Sequence, residues 1–189
     1  VDPNLTVTVR LRDGGTEVFA FSQFNNITGA YLPDRYSQAV LRWTTGQSGN
    51  DVYRRELSDG SVEVYSQPMT TVTGQDKRYF LKQVIDPQGN VVTLNYEFVA
   101  GAANPVYNGL TPGQNTGSAT ATTATGRVNE IVDAAGGVTL IRYLSNTRSY
   151  SSAFYRIKQV YSPPHRLTGA RRFVEFSYNG TATVPTTLN

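Results

Sequence analysis

An all-β, antiparallel fold of stacked hairpins is what this sequence of 189 residues predicts. Three observations carry that expectation. The chain has 20 Val, 23 Thr and 12 Tyr, residue types that favour strands over helices. Its 17 Gly and 9 Pro fall mostly between short runs of alternating apolar and polar residues, where turns belong. One strand–turn–strand pattern recurs along the chain, and stacked repeats bury faces that a single hairpin leaves wet.

The elements follow in chain order. A first copy covers residues 9–23. Val9-Arg10-Leu11-Arg12 runs into Asp13-Gly14-Gly15, and Thr16-Glu17-Val18-Phe19-Ala20-Phe21 alternates beyond it. Residues 25–51 fit the pattern least: 31–35 reads as a turn, 39–43 as a strand and 44–50 as a polar loop. A second copy covers 52–67, with Asp59-Gly60 as its turn and Val62 and Val64 alternating after it. The two best copies are 79–98 and 125–144. At a constant offset of 47, Asp86 meets Asp133, Gly89 meets Gly136, Val91 meets Val138 and Tyr96 meets Tyr143. Between them, 99–124 is rich in Ala, Gly, Thr and Asn and nearly uncharged, and reads as a long flexible insertion. A last copy covers 155–179. There Ile157-Lys158-Gln159-Val160 echoes Leu81-Lys82-Gln83-Val84, and Ser162-Pro163-Pro164-His165-Arg166 swells the turn. No segment joins helix caps to a helical period.

The physics of the unit is short. Asp opens the turn by accepting nearby backbone N–H groups, and Gly supplies a positive φ. Asp13, Asp59, Asp86 and Asp133 are read as equivalent turn residues. Val in place of Gly89 or Gly136 is expected to cost roughly 1 kcal/mol or more. Tyr65, Tyr96, Tyr143 and Tyr178 are expected to end the second strands, ring buried and hydroxyl wet.

Composition excludes several classes. There is no cysteine and one histidine, so disulfides, thiolate sites and multi-histidine metal sites have no residues to use. Net charge is +3, and no basic cluster exceeds the pairs Arg54-Arg55 and Arg171-Arg172, so nucleic acid is not an expected partner. No apolar run is long enough to span a bilayer as a helix. No charged-then-apolar leader opens the chain at Val1, and a start other than Met fits a processed form or a fragment. Arg outnumbers Lys by 14 to 3, which fits planar paired contacts and equally a codon preference.

The run Gly126-Arg127, then Asp133-Ala134-Ala135-Gly136, then an alternating strand ending at Tyr143, resembles the RHS/YD repeat. The copy with Asp86, Gly89 and Tyr96 is similar but has Lys77-Arg78-Tyr79-Phe80 where Gly-Arg would stand. The resemblance implies an arc of a hollow β-shell such as those of bacterial polymorphic toxins, toxin complexes and teneurins. It further implies that residues 1–189 are one repeat region of a larger, secreted or cell-surface bacterial chain. The partners it implies are the rest of that chain and an encapsulated C-terminal toxin domain. The shell-ending motif of the family carries Leu after Asp-Pro-x-Gly. Here Asn90-Val91 follows Asp86-Pro87-Gln88-Gly89, so autoproteolysis is not carried over and Asp86 is read as a turn residue.

The expected role is therefore a non-catalytic structural segment that encloses or displays a toxin or effector. The alternative is a surface-exposed β-repeat module that binds glycans or a partner protein, with Trp43 and Tyr36 stacking on the ligand. Trp43 reads more readily as a core or sheet-packing aromatic than as a stacking residue. No catalytic residue, cofactor or metal is expected. His165 has no orienting carboxylate beside it in sequence, and a catalytic base needs one within reach. The Asp-x-x-Gly turns hold too few oxygens for calcium. Asn4, Asn26 and Asn179 head glycosylation sequons that a bacterial source would leave idle.

Overall fold

A computed structural model describes residues 6–11, 14–45, 51–69, 77–99, 125–144 and 156–178. The fold is all-β, and among the described residues the one helical stretch is the 3-10 turn Phe21–Gln23. The chain gathers into two compact units, Val1–Pro68 with Arg78–Thr93 and Met69–Lys77 with Leu94–Asn189.

In the first unit, β1 (Val7–Arg10) and β2 (Thr16–Phe19) form a two-stranded sheet of their own. A second sheet takes β3 (Phe24–Asn25), β4 (Ala30–Tyr31), β5 (Val40–Thr45), β6 (Asp51–Glu56), β7 (Val62–Met69) and β8 (Arg78–Ile85) as successive neighbours. It runs on to the start of β9 (Val91–Val99). In the second unit the rest of β9 is followed by β10 (Thr125–Val132), β11 (Val138–Tyr143), β12 (Ile157–Tyr161) and β13 (Phe173–Glu175). Within each sheet, strands adjacent in sequence are hydrogen-bonded neighbours. Of the insertion read at 99–124, Val99 instead ends β9, and residues 100–124, like Asp13, lie outside the described residues.

Four hairpins share one turn. The last pairs before it are Arg10↔Thr16, Glu56↔Val62, Ile85↔Val91 and Val132↔Val138. In each, the fourth turn residue donates its N–H to the first: Gly14 to Leu11 at 3.1 Å, and Gly60 to Leu57, Gly89 to Asp86 and Gly136 to Asp133 at 3.0 Å. The first residue donates in turn to the fifth, at 2.8–3.0 Å. Where the whole turn is described, over 57–61, 86–90 and 133–137, this is a type I turn closed by a one-residue bulge, which requires a left-handed residue at the fourth place. Gly14, Gly60, Gly89 and Gly136 stand there at φ +89°, +87°, +86° and +81°. Nothing lies within 4 Å of a Cβ built on Gly136. The loss expected for Gly136→Val is therefore conformational, about 1–2 kcal/mol from the left-handed backbone alone. Urea unfolding of the variant measures it, and an unchanged midpoint would remove the turn assignment.

Two expectations about the repeat need correction. Asp86 and Asp133 open their turns and bind alike. The Oδ1 of Asp86 accepts the N–H groups of Gln88 and Asn90, and that of Asp133 those of Ala135 and Gly137. The amide of Asn90, with these backbone donors, holds the Asp86 carboxyl below its ordinary range. Asp59 is not their equivalent. Leu57 opens that turn, and Asp59, two places later, accepts the N–H and hydroxyl of Ser61 instead. The tyrosines also differ. Tyr143 ends β11, whereas β7 and β9 run past Tyr65 and Tyr96, and Tyr178 lies beyond β13. Counted from the turn glycine, Tyr65 falls two residues earlier than Tyr96 and Tyr143, so it sits on a different rung.

Residues 25–51 are corrected in detail. Ala30–Tyr31 is a strand rather than part of a turn. The turn comes after it, closed by Asp34 N–H to the Ala39 carbonyl at 2.8 Å, with Gln38 at φ 59°. The last copy likewise has its strands but a wider turn, bonded His165 to Ala170 and Gly169 to His165.

The first hairpin does not join the main sheet, as uniform stacking would have it. Alternation along β1 and β2 turns Val9 and Phe19 inward, onto buried Tyr31 and Leu41. Phe19 meets Tyr31 edge-on at 6.0 Å between centroids, a favoured aromatic geometry. The same alternation buries Glu17 and leaves Val18 57% exposed. Parity, not hydrophobicity, decides the face at that position.

Candidate functional site

Buried charge marks the second unit. Its core holds Tyr96, Leu140 and Tyr161, but Glu97, Arg127, Asn129 and Glu130 are buried too. The β10–β11 register pairs Glu130 with Leu140 and Val132 with Val138. Carried back along the strands, it sets Arg127 opposite Tyr143. The Arg127 guanidinium lies over that ring, 4.2 Å from its centre. Its Nε donates to Glu97 on β9, with the two side chains 3% and 5% exposed. The Tyr143 hydroxyl donates to the Val128 carbonyl at 2.5 Å.

The last copy repeats this device. Arg156 precedes Ile157 as Arg127 precedes Val128. Arg156 lies over the Tyr178 ring at 5.2 Å, and the Tyr178 hydroxyl donates to the Ile157 carbonyl at 2.9 Å. Each tyrosine thus ties its own copy's first strand from both sides, ring against cation and hydroxyl against carbonyl. In residues 79–98 Phe80 occupies the arginine position.

Beside the Arg127 cluster is a cavity of about 250 Å³. Glu97, Ile141, Arg142, Tyr143, Lys158 and Gln159 are among its lining residues. Burial pushes Tyr143 up to about 12, with Glu97 adding to the shift and Arg127 opposing it. Burial does the same for Tyr96, and Tyr143 adds to it. In the first unit Tyr79 also reaches about 12, through burial and the hydrogen bond it donates to Asp51 at 2.7 Å.

These raised values have a pH consequence. A folded value above the unfolded value of about 10 means the fold favours the protonated phenol. That stabilisation is fully present below pH 10 and is lost as pH rises towards 12. The expected result is alkaline unfolding, seen as a rise in phenolate absorbance at 295 nm that coincides with loss of far-ultraviolet dichroism. Full ionisation of all tyrosines near pH 10 with the sheet intact would contradict it.

The residues singled out from sequence fall in three places. Asp59, Gly60, Asp86, Gly89, Asp133 and Gly136 sit at hairpin turns. Gly126, Arg127 and Tyr143 come together at the start of β10 and the end of β11, and Tyr96 is buried on β9. Trp43 and Tyr36 are placed differently. Trp43 lies on β5, edge-on to Phe24 at 6.4 Å, and its indole N–H donates to Asp51 at 3.0 Å. Tyr36 stands in the preceding turn, 92% exposed. His165 is exposed, with Nδ1 3.3 Å from the Thr168 hydroxyl. Among the described residues no group of three His, Cys, Asp or Glu side chains is placed to hold a metal.

Sequence reasoning missed the buried ion clusters. In the first unit Arg55 bonds both Glu17 oxygens at 2.6 Å and Glu63 at 2.9 Å. The hairpin spacing already set Arg55 opposite Glu63. Nothing in the local pattern set Glu17 on them, because that contact joins two sheets. Compared with known proteins, the chain matches no family model, no curated protein and no solved structure.

Proposed function

We propose that this chain is a segment of an RHS/YD-type repeat wall, which encloses or displays a toxin or other effector and is not itself an enzyme. The observation that carries the reading is repetition in detail: four hairpins with one turn, one register and one left-handed glycine position. The arginine–tyrosine–carbonyl tie, present in two copies, supports it. Encapsulation of this kind works by geometry. A wall of laterally paired hairpins keeps proteases from a cargo, and a mixed polar and apolar lining does not grip it. The partners are then the rest of a longer chain and the effector it holds, outside the cell or at its surface. A second reading, recognition of a glycan or partner protein, draws on Tyr36, whose ring is held out to solvent. Trp43 contributes less to it, being engaged with Phe24 and Asp51.

An antibody raised against this segment tests the proposal in source cells. A native polypeptide far larger than 20.7 kDa, from which protease releases this region only with its neighbours, is the expected result. A native product near 20.7 kDa cannot enclose a cargo alone and would leave the binding reading.

A further inference from the structure

The cavity of the second unit has a feature that the wall reading does not use. On β11 and β12, Arg142 pairs with Gln159 and Tyr143 with Ile157, so Lys158 has no partner in the ladder. It is the extra residue of a β-bulge, a device that re-aims a side chain. Its carbonyl is held by the N–H of Phe176 at 2.9 Å, which fixes the bulge from the β13 side. Lys158 lines the cavity, as do Arg142 and Glu97. The Glu97 carboxylate is already met by Arg127. Among the described residues no carboxylate forms an ion pair with Lys158. Arg142 has its guanidinium against the Tyr161 ring at 5.3 Å and adds positive field at the same wall.

We propose that this bulge builds a site for a small oxyanion, a carboxylate or phosphate group, with Lys158 as its principal cation. The volume suits such a group and is below the range of drug-sized pockets. The side-chain amide of Gln159 and the ammonium of Lys158 supply the donors an oxyanion needs, and charge-assisted bonds of this kind are the strong ones. The inference stands apart from the wall reading and holds whether or not a cargo exists.

The test is a nitrogen–proton correlation titration of the full chain with sodium acetate and, separately, sodium phosphate, against sodium chloride at equal ionic strength. The expected result is a saturable shift of the Leu144, Lys158 and Gln159 amides with at least one oxyanion and none with chloride. The acetate and phosphate arms show which group the site takes. Lys158→Met should weaken binding about tenfold, the loss typical of one charged hydrogen bond, and Lys158→Arg should restore it to within a few-fold. Should Lys158→Met lose its spectral dispersion, Lys158→Gln is titrated in its place. Linear shifts, an equal response to chloride, or unchanged affinity without the ammonium each overturn the site.

Discussion

Replacing Arg55 with Ala is expected to lower stability by about 3–5 kcal/mol, the usual cost of breaking a buried ion pair by removing one partner. Arg55 is 5% exposed and is ion-paired with both Glu17 and Glu63. Its Nε and one terminal nitrogen each donate to a Glu17 oxygen at 2.6 Å, a two-pronged contact that lysine cannot reproduce. The other terminal nitrogen reaches Glu63 at 2.9 Å, and Tyr65 donates to the same Glu63 oxygen at 3.0 Å. These bonds, Glu17 foremost, hold the guanidinium protonated even more firmly than usual. Without it, buried Glu17 loses a two-pronged ion pair and Glu63 loses its bond to the guanidinium. The triple variant R55M/E17L/E63L should regain most of the loss, because apolar groups of similar volume replace a buried ion cluster at little cost. Urea unfolding followed by circular dichroism measures both. A loss under about 1 kcal/mol in R55A would show that the cluster is solvated in solution.

The second large effect is expected at Arg127. Arg127→Ala removes the partner of buried Glu97 and the cation over Tyr143. The first loss is about 3–5 kcal/mol, and the ring contact adds about 0.5–2 kcal/mol. The two are separable. Arg127→Lys keeps the charge but not the planar stack, and should cost less than the alanine variant. Arg127→Met paired with Glu97→Met removes both charges and should recover most of the ion-pair term. Hydrogen exchange locates the effect: the β9–β11 amides should lose protection in R127A while those of β5–β7 change little. Equal loss of protection in both sets would contradict the local role given to Arg127.

Much of the fold was legible in the residues because hairpins are local. Asp86-Pro87-Gln88-Gly89 and Asp133-Ala134-Ala135-Gly136 encode their turns within four positions, and the turn sets the register of every rung above it. The pairings Arg55↔Glu63 and Arg127 across Tyr143 follow from that register alone. The misplacement of Asp59 and Tyr65 has the same origin. Asp59 matches Asp86 and Asp133 in residue type but not in turn position, and a two-residue offset keeps the face while changing the rung.

Short stretches of sequence suffice for most of the strands, the shared turn and the left-handed places of Gly14, Gly60, Gly89 and Gly136. These depend on steric limits and hydrogen bonds within a few residues. Tertiary structure alone decided that the first hairpin lays Glu17 on Arg55, that Glu97 meets Arg127, and that Lys158 bulges beside a cavity. Such contacts join strands far apart in the chain. Their free energy comes from excluding water around charges, and that appears only when the faces meet.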